Sequence, residues 1–333
     1  MPSPARETIA AMSEVVAHWE DVEPYTITRA PLAGRRWRLG PPAGTDRTGL
    51  SRYAMGPGER PMPLHTHADE EEIVFVLAGS GVTTDGERAW AIGSGDTVVH
   101  PAGGAPHAFV AGDEGMDVLV FASGSDTRLT YLPRTDVMWL GPRWLPLDGP
   151  NPMRAEAGAG PLVLPPVEAE RPPHVVALDA VEVILQAVSD VRCHRRRTGR
   201  AAGSSRSGLT HSVIEPGRRS SFPHHHSGEE ELYVVLEGSG ALELHEQDAT
   251  LRSSHPVGPG ALIARPAGRH VAHSFVGGPD GLTLLAYSRD DASDMCFYPR
   301  SQNVALRGLG VTFAIERLAR GHGEPEPTGA AGS

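Results

Sequence analysis

The chain has 333 residues, enough for two domains of ordinary size that each bury a core. Its 39 glycines and 30 prolines favour many short strands and turns over long helices. A formal net charge of -11 argues against nucleic acid or an anionic membrane surface as the main partner, and no apolar run approaches the ~20 residues of a membrane span.

From the N-terminus, residues 1–24 read as an arm. Ile9, Met12, Val15 and Val16 recur at helical spacing, which predicts a short amphipathic helix over Glu7 to Trp19. Such a helix would cover a sheet edge or reach the partner subunit of a homo-oligomer. The acidic residues Glu7, Glu14, Glu20, Asp21 and Glu23 and the missing basic n-region exclude a signal peptide. Residues 25–144 carry short β-branched and aromatic runs such as Glu72 to Leu77, Thr97 to His100 and Met116 to Phe121, broken by Gly and Pro. Residues 145–173 are rich in proline, alanine and glycine and read as an interdomain linker. Residues 174–318 repeat the strand grammar, and 319–333 read as a disordered tail. Cys193 and Cys296 lie far apart, without the spacing of a zinc knuckle or redox pair, so the expectation is a soluble cytoplasmic protein with reduced thiols.

The two strand-rich halves are copies. His65-Thr66-His67, Glu72 and Gly79 recur as His224-His225-His226, Glu231 and Gly238 with every interval preserved. Arg47-Thr48-Gly49-Leu50-Ser51 matches Arg206-Ser207-Gly208-Leu209-Thr210, and Leu132-Pro133-Arg134 matches Tyr298-Pro299-Arg300. Between them, Pro101-Ala102-Gly103 with His107 matches Pro266-Ala267-Gly268 with His273, after an insertion that lengthens a hairpin in the second copy. Alternate residues of a strand share a face, so His-x-His sends two imidazoles to one side, where a carboxylate on the next strand can meet them.

These motifs resemble those of the bicupins, proteins made of two cupin barrels. The first cupin motif is matched by Gly58, His65, His67, Glu72 and Gly79, and again by Gly217, His224, His226, Glu231 and Gly238. The second is matched by Gly95, Pro101, Gly103 and His107, and again by Gly260, Pro266, Gly268 and His273. The spacing before the last histidine is longer than usual, Ala111 and Gly277 replace the trailing Asn, and His270 is a rival to His273. The resemblance implies an all-β fold of two tandem jelly-roll barrels and one metal site per barrel. His65, His67, Glu72 and His107 would be the ligands in the first, and His224, His226, Glu231 and His273 in the second.

Three neutral imidazoles and a carboxylate suit a divalent first-row ion, with Fe or Mn favoured and Ni, Co or Zn admissible. Strand parity places Phe109, Phe275 and Val74 as pocket residues and gives the second site Tyr233, a phenol where the first has Val74. Arg134 and Arg300 are candidates to clamp a substrate carboxylate. Glu70, Glu71, Glu229 and Glu230 read as solvated loop charges. The leading expectation is an oxidoreductase of dioxygenase type acting on a small phenolic or enolic substrate that chelates the metal. The alternatives are a Mn-dependent decarboxylase or lyase, a Lewis-acid isomerase or cyclase, and a non-catalytic binding protein braced by metal. Oxalate decarboxylases place an Arg three residues before the first ligand His, where Met62 and Ser221 stand here. The phenol and the longer hairpin tilt the choice of working barrel toward the second.

Overall fold

The computed structural model describes residues 15–124, 129–140, 143–146 and 152–316. The architecture is mostly β, with two strand assemblies of the same plan. In the first, Glu72–Thr84 lies between Ala89–Gly93 and Ala108–Ala122, and the sheet continues through Gly49–Met55 and Leu32–Arg38 to Tyr25–Arg29. The second runs from Ala261–Arg265 through Glu231–His245, Ala272–Arg289, Ser207–Ile214 and Val191–Arg196 to Ile184–Val188. Each is faced by a four-stranded sheet that begins with the His-x-His strand, Thr66–His67 or His225–His226. The expected insertion lengthens the second hairpin, where Glu231–His245 and Leu251–Val257 replace the shorter Glu72–Thr84 and Ala89–Gly93.

The motif glycines have a steric reason. Gly79 and Gly238 both adopt φ of 76° at a break in strand register. A Cβ there would collide with the carbonyl oxygen of Gly115 or Gly281 respectively, so no side chain fits.

Parity along the long strands sorts the core into three. Val74 and Val76 point into the first barrel with Phe109 and Val118, while Tyr233 and Val235 point into the second with Phe275 and Leu284. The opposite faces meet each other. Ile73, Phe75, Leu119 and Phe121 pack against Leu209, Leu232, Leu285 and Tyr287, with the Phe121 and Tyr287 rings stacked at 5.2 Å. Burial on both faces of these strands explains their nearly continuous apolar sequence.

The halves also exchange arms. Val15–Trp19, the part of the expected helix that is described, runs instead through a bend and the strand Ala17–His18, which pairs with Ala261–Arg265 of the second barrel. Residues 1–14 lie outside the described residues. Reciprocally, Val175–Ala177 pairs with Asp96–His100 of the first barrel. The residues expected to form a plain linker are structured in part. The helix Pro152–Gly158 carries the fully buried Glu156, which accepts bonds of 2.8 Å from both Arg60 and Arg134. Val167–Glu168 adds a parallel strand to Ala89–Gly93. The tail expected to be disordered, residues 319–333, lies outside the described residues.

Three of the glutamates read as solvated are buried, and two of them join the halves. Glu230 accepts bonds from the amides of Asp46, Arg47 and Thr48 and from the Thr48 hydroxyl. Glu71 accepts bonds from Ser204, Ser205 and Ser207 at the matching places of the other copy. A carboxylate leaves water at tolerable cost only when such donors replace its hydration.

Candidate metal centres

In the first barrel, His65, His67, Glu72 and His107 each offer a ligand atom, and these atoms all lie within 4.8 Å of one another. Three elements bring them there: the short strand Thr66–His67, the start of Glu72–Thr84, and the bridge that pairs His65 with His107. Glu72 is central, 3.1 Å from His107 Nε2, 3.3 Å from His67 Nε2 and 3.8 Å from His65 Nε2. The outer nitrogens are held from behind. His65 Nδ1 is 2.9 Å from the Pro63 carbonyl, and His67 Nδ1 is 2.9 Å from the Thr130 hydroxyl. Such support fixes ring orientation and turns Nε2 inward.

The electrostatics match a cation site. Burial alone would raise the Glu72 pKa, but His67, His107 and His65 hold it well below the usual carboxylate range. Burial and the neighbouring His65 push His107 down to about 4, so it stays neutral with a lone pair available. The inward Nε2 of His67 is buried without a hydrogen-bond partner among the described residues, a cost that a bound divalent ion would remove. His100 stacks flat on His107 at 3.9 Å and stiffens it from outside.

A cavity of about 250 Å³ opens over this cluster, lined in part by Tyr53, Phe109, Val120, Leu132 and Trp139. Phe109 is where parity put it. Val74 is not in the lining; it sits deeper in the barrel core. The first site has a phenol after all, because Tyr53 enters from Gly49–Met55 and meets Phe109 edge-on at 5.9 Å. Burial raises the Tyr53 pKa, which keeps the hydroxyl protonated.

The second barrel repeats the backbone but not the contacts. Glu231 lies 3.0 Å from His273 Nε2, 3.6 Å from His226 Nε2 and 3.8 Å from His224 Nε2. His224 Nδ1 is oriented by the Phe222 carbonyl at 2.8 Å. His224, Glu231 and His273 form one group able to hold an ion, while His226 falls into two others, one with His224 and Cys296, the other with Glu229 and Asp294. Tyr233 places its hydroxyl 2.9 Å from His273 Nε2. Burial and Glu231 raise the Tyr233 pKa well above the ordinary value, and burial holds His273 neutral at about 3. His226 Nδ1 meets Asp294 at 2.6 Å. Burial opposes the charge on His226, but Glu231 and Asp294 outweigh it and raise its pKa to about 11. His270, the rival ligand, is exposed and packs its ring against His225, away from the cluster.

The second cavity is wider, about 1190 Å³, and its lining includes Tyr233 and Cys296 but not Phe275, which is buried beneath Tyr233. The two arginines proposed as clamps are committed elsewhere. Arg134 binds Glu156 and the carbonyls of Ala159, Gly160 and Pro161, outside the first cavity. Arg300 reaches the second cavity but is paired with Asp190. Different arginines line the pockets: Arg36 and Arg38 in the first and their counterparts Arg195 and Arg197 in the second. None of these four forms an ion pair with a described residue. The runs Arg35-Arg36-Trp37-Arg38 and Arg195-Arg196-Arg197 signalled them, since alternate residues share a face.

Residues 51–122 match the family model described as Cupin domain, and no curated protein matches the chain. Among solved structures, Bacillus subtilis oxalate decarboxylase at pH 4.6 superposes with a TM-score of 0.57 at 16% identity, covering 84% of this chain and 77% of that one. A variant of the same enzyme gives 0.58 at 17% identity over 85% and 79%. A third structure, reported with the Mn(II) centres of that enzyme, gives the same values of 0.58, 17%, 85% and 79%. The family match lies within the first strand assembly, and the likeness of fold extends over both. Among the described residues no helix is long and apolar enough to cross a membrane.

Proposed function

With a cupin architecture and two His/Glu clusters as premise, we propose that the protein is a metal-dependent enzyme whose first barrel turns over a small phenolic or enolic acid with O2. The convergence of four donors beneath an aromatic-lined cavity carries this reading. Fe(II) or Mn(II), held by His65, His67, Glu72 and His107, would supply Lewis acidity and a path for electrons between substrate and O2. Glu72 sets the charge of the site, and Thr130 and the Pro63 carbonyl keep the imidazoles aimed. Phe109 and Trp139 offer faces for a flat substrate, and Tyr53 can donate a hydrogen bond to its oxygen. Arg36 and Arg38 bring uncompensated positive charge for an acidic substituent.

The second reading is a Mn-dependent decarboxylase. The likeness to oxalate decarboxylase favours it, and an arginine pair suits a diacid. The two readings separate in one assay on Fe- and Mn-loaded protein, measuring O2 uptake and CO2 release together. Stoichiometric O2 uptake with phenolic or enolic acids is the expected result. CO2 release from a dicarboxylate without net O2 uptake would establish the decarboxylase instead. Silence in both would leave a metal-braced binding protein.

A further inference from the structure

The three histidines of the second barrel surround Glu231 much as those of the first surround Glu72, at 3.0 to 3.8 Å, but a fifth group stands beside them. Cys296 lies on Met295–Tyr298, paired directly with His226 of the His-x-His strand. Its sulfur and the nearest ring nitrogens of His224 and His226 are mutually within 4.8 Å. It is buried yet lines the cavity beside His224, His226 and Glu231. The matching residue of the first barrel is Thr130, paired in the same register with His67.

His273 is handicapped as a ligand whichever tautomer it adopts. If Nε2 carries the lone pair, the Tyr233 phenol at 2.9 Å donates to it. If Nε2 carries the proton, there is no lone pair to give, with the Glu231 carboxylate 3.0 Å away. A metal at Nε2 must displace the phenol in the one case and the proton in the other. In the first barrel His107 shares the carboxylate contact, 3.1 Å from Glu72, but Val74 stands where Tyr233 does.

We propose that the second barrel binds its metal through the Cys296 thiolate together with His224 and His226, with His273 left to Tyr233. This rests on the metal-dependent reading above and differentiates the two barrels. The thiol gives up its proton to solvent as the ion binds, so sulfur becomes an anionic ligand. One thiolate and two imidazoles with a carboxylate near them suit a tetrahedral zinc-like ion, while the three imidazoles and carboxylate of the first barrel suit a harder octahedral one. The second barrel would then hold Zn(II) and the first Fe(II) or Mn(II).

Cobalt(II) reports the distinction without any turnover, because a thiolate ligand adds a sulfur-to-cobalt charge-transfer band in the near ultraviolet. Metal-free full-length protein titrated with Co(II) should bind two ions and show that band. The variant Cys296→Thr, which installs the first barrel's residue, should lose the band while the first-barrel cobalt remains. Zinc should displace the thiolate-bound cobalt before the other. Two bound cobalts without a sulfur band overturn the proposal, as does a band that survives in Cys296→Thr, since only Cys193 would remain to give it. If no cobalt binds, the metal-dependent reading falls with it. X-ray absorption of the zinc-loaded wild type, expected to show one sulfur at about 2.3 Å, decides the matter even if the variant does not fold.

Discussion

The two barrels share a backbone plan and differ in what surrounds their histidines. In the first, a hydroxyl and a carbonyl aim the rings, and four donors face one point. In the second, Tyr233 engages His273, Asp294 engages His226, and Cys296 enters beside them. Duplicated ligands are therefore met by different neighbours. The residues one step behind the ligands decide which nitrogens are free, and the cavity above the first cluster is the tighter one. The proposed function puts turnover in the first barrel, a reading opposite to the tilt toward the second that the phenol and the hairpin suggested.

The largest effect should come from removing each central carboxylate. Glu72→Ala should abolish turnover and weaken metal binding in the first barrel by well over the ~10–100-fold typical of losing a supporting residue. Glu231→Ala should weaken the second site, where Cys296, His224 and His226 remain, and leave most of the activity; metal content per chain with steady-state rates checks both. Equal loss of turnover from the two would erase the distinction between the barrels. Next, Phe121→Ala should cost about 3–5 kcal/mol, because it empties the core the halves share. Denaturant unfolding should then show both barrels losing stability together. Glu71→Ala and Glu230→Ala should each cost roughly 1–3 kcal/mol per buried donor left unpaired, with similar totals if the joint is symmetric.

The smallest effect is the pH dependence of the Asp294–His226 pair in the second barrel. In metal-free protein the Asp294 pKa is lowered to about 2 from an ordinary 3.8: burial opposes this, but His226 and backbone amides prevail. Its contribution is thus present above pH 3.8 and fades as pH falls toward 2. The His226 pKa is raised to about 11 from 6.5, so its contribution is full below 6.5 and fades as pH rises toward 11. The stability difference between wild type and Asp294→Asn should be greatest between about pH 4 and 6.5. A difference independent of pH would show that the pair does not carry a proton-linked charge.

The fold was legible because the repeat is long and strand parity is strict. His65 with His67, the register of Glu72 and the inward turn of Phe109 all follow from period two. What stayed hidden depends on pairing between distant segments. Tyr53 could not be placed until Gly49–Met55 was known to lie against Ala108–Ala122. Cys296 was within reach, since it stands two residues before Tyr298 as Thr130 stands before Leu132, on the same strand face. Glu71 and Glu230 were misread because burial at an interface between halves leaves no periodic trace in sequence. Arg134 was misread because its partner, Glu156, lies in a segment whose composition suggests a tether.

The exchanged arms make the chain indivisible in a particular way. A cut between the halves leaves the N-terminal piece holding Ala17–His18, an edge strand of the other barrel, and the C-terminal piece holding Val175–Ala177, which belongs to the first. Each fragment would expose an unpaired strand edge and would carry the segment that covers its sibling's. The pseudo-twofold arrangement is that of an arm-swapped dimer written as a single polypeptide, so separately made halves should find each other rather than fold as independent barrels.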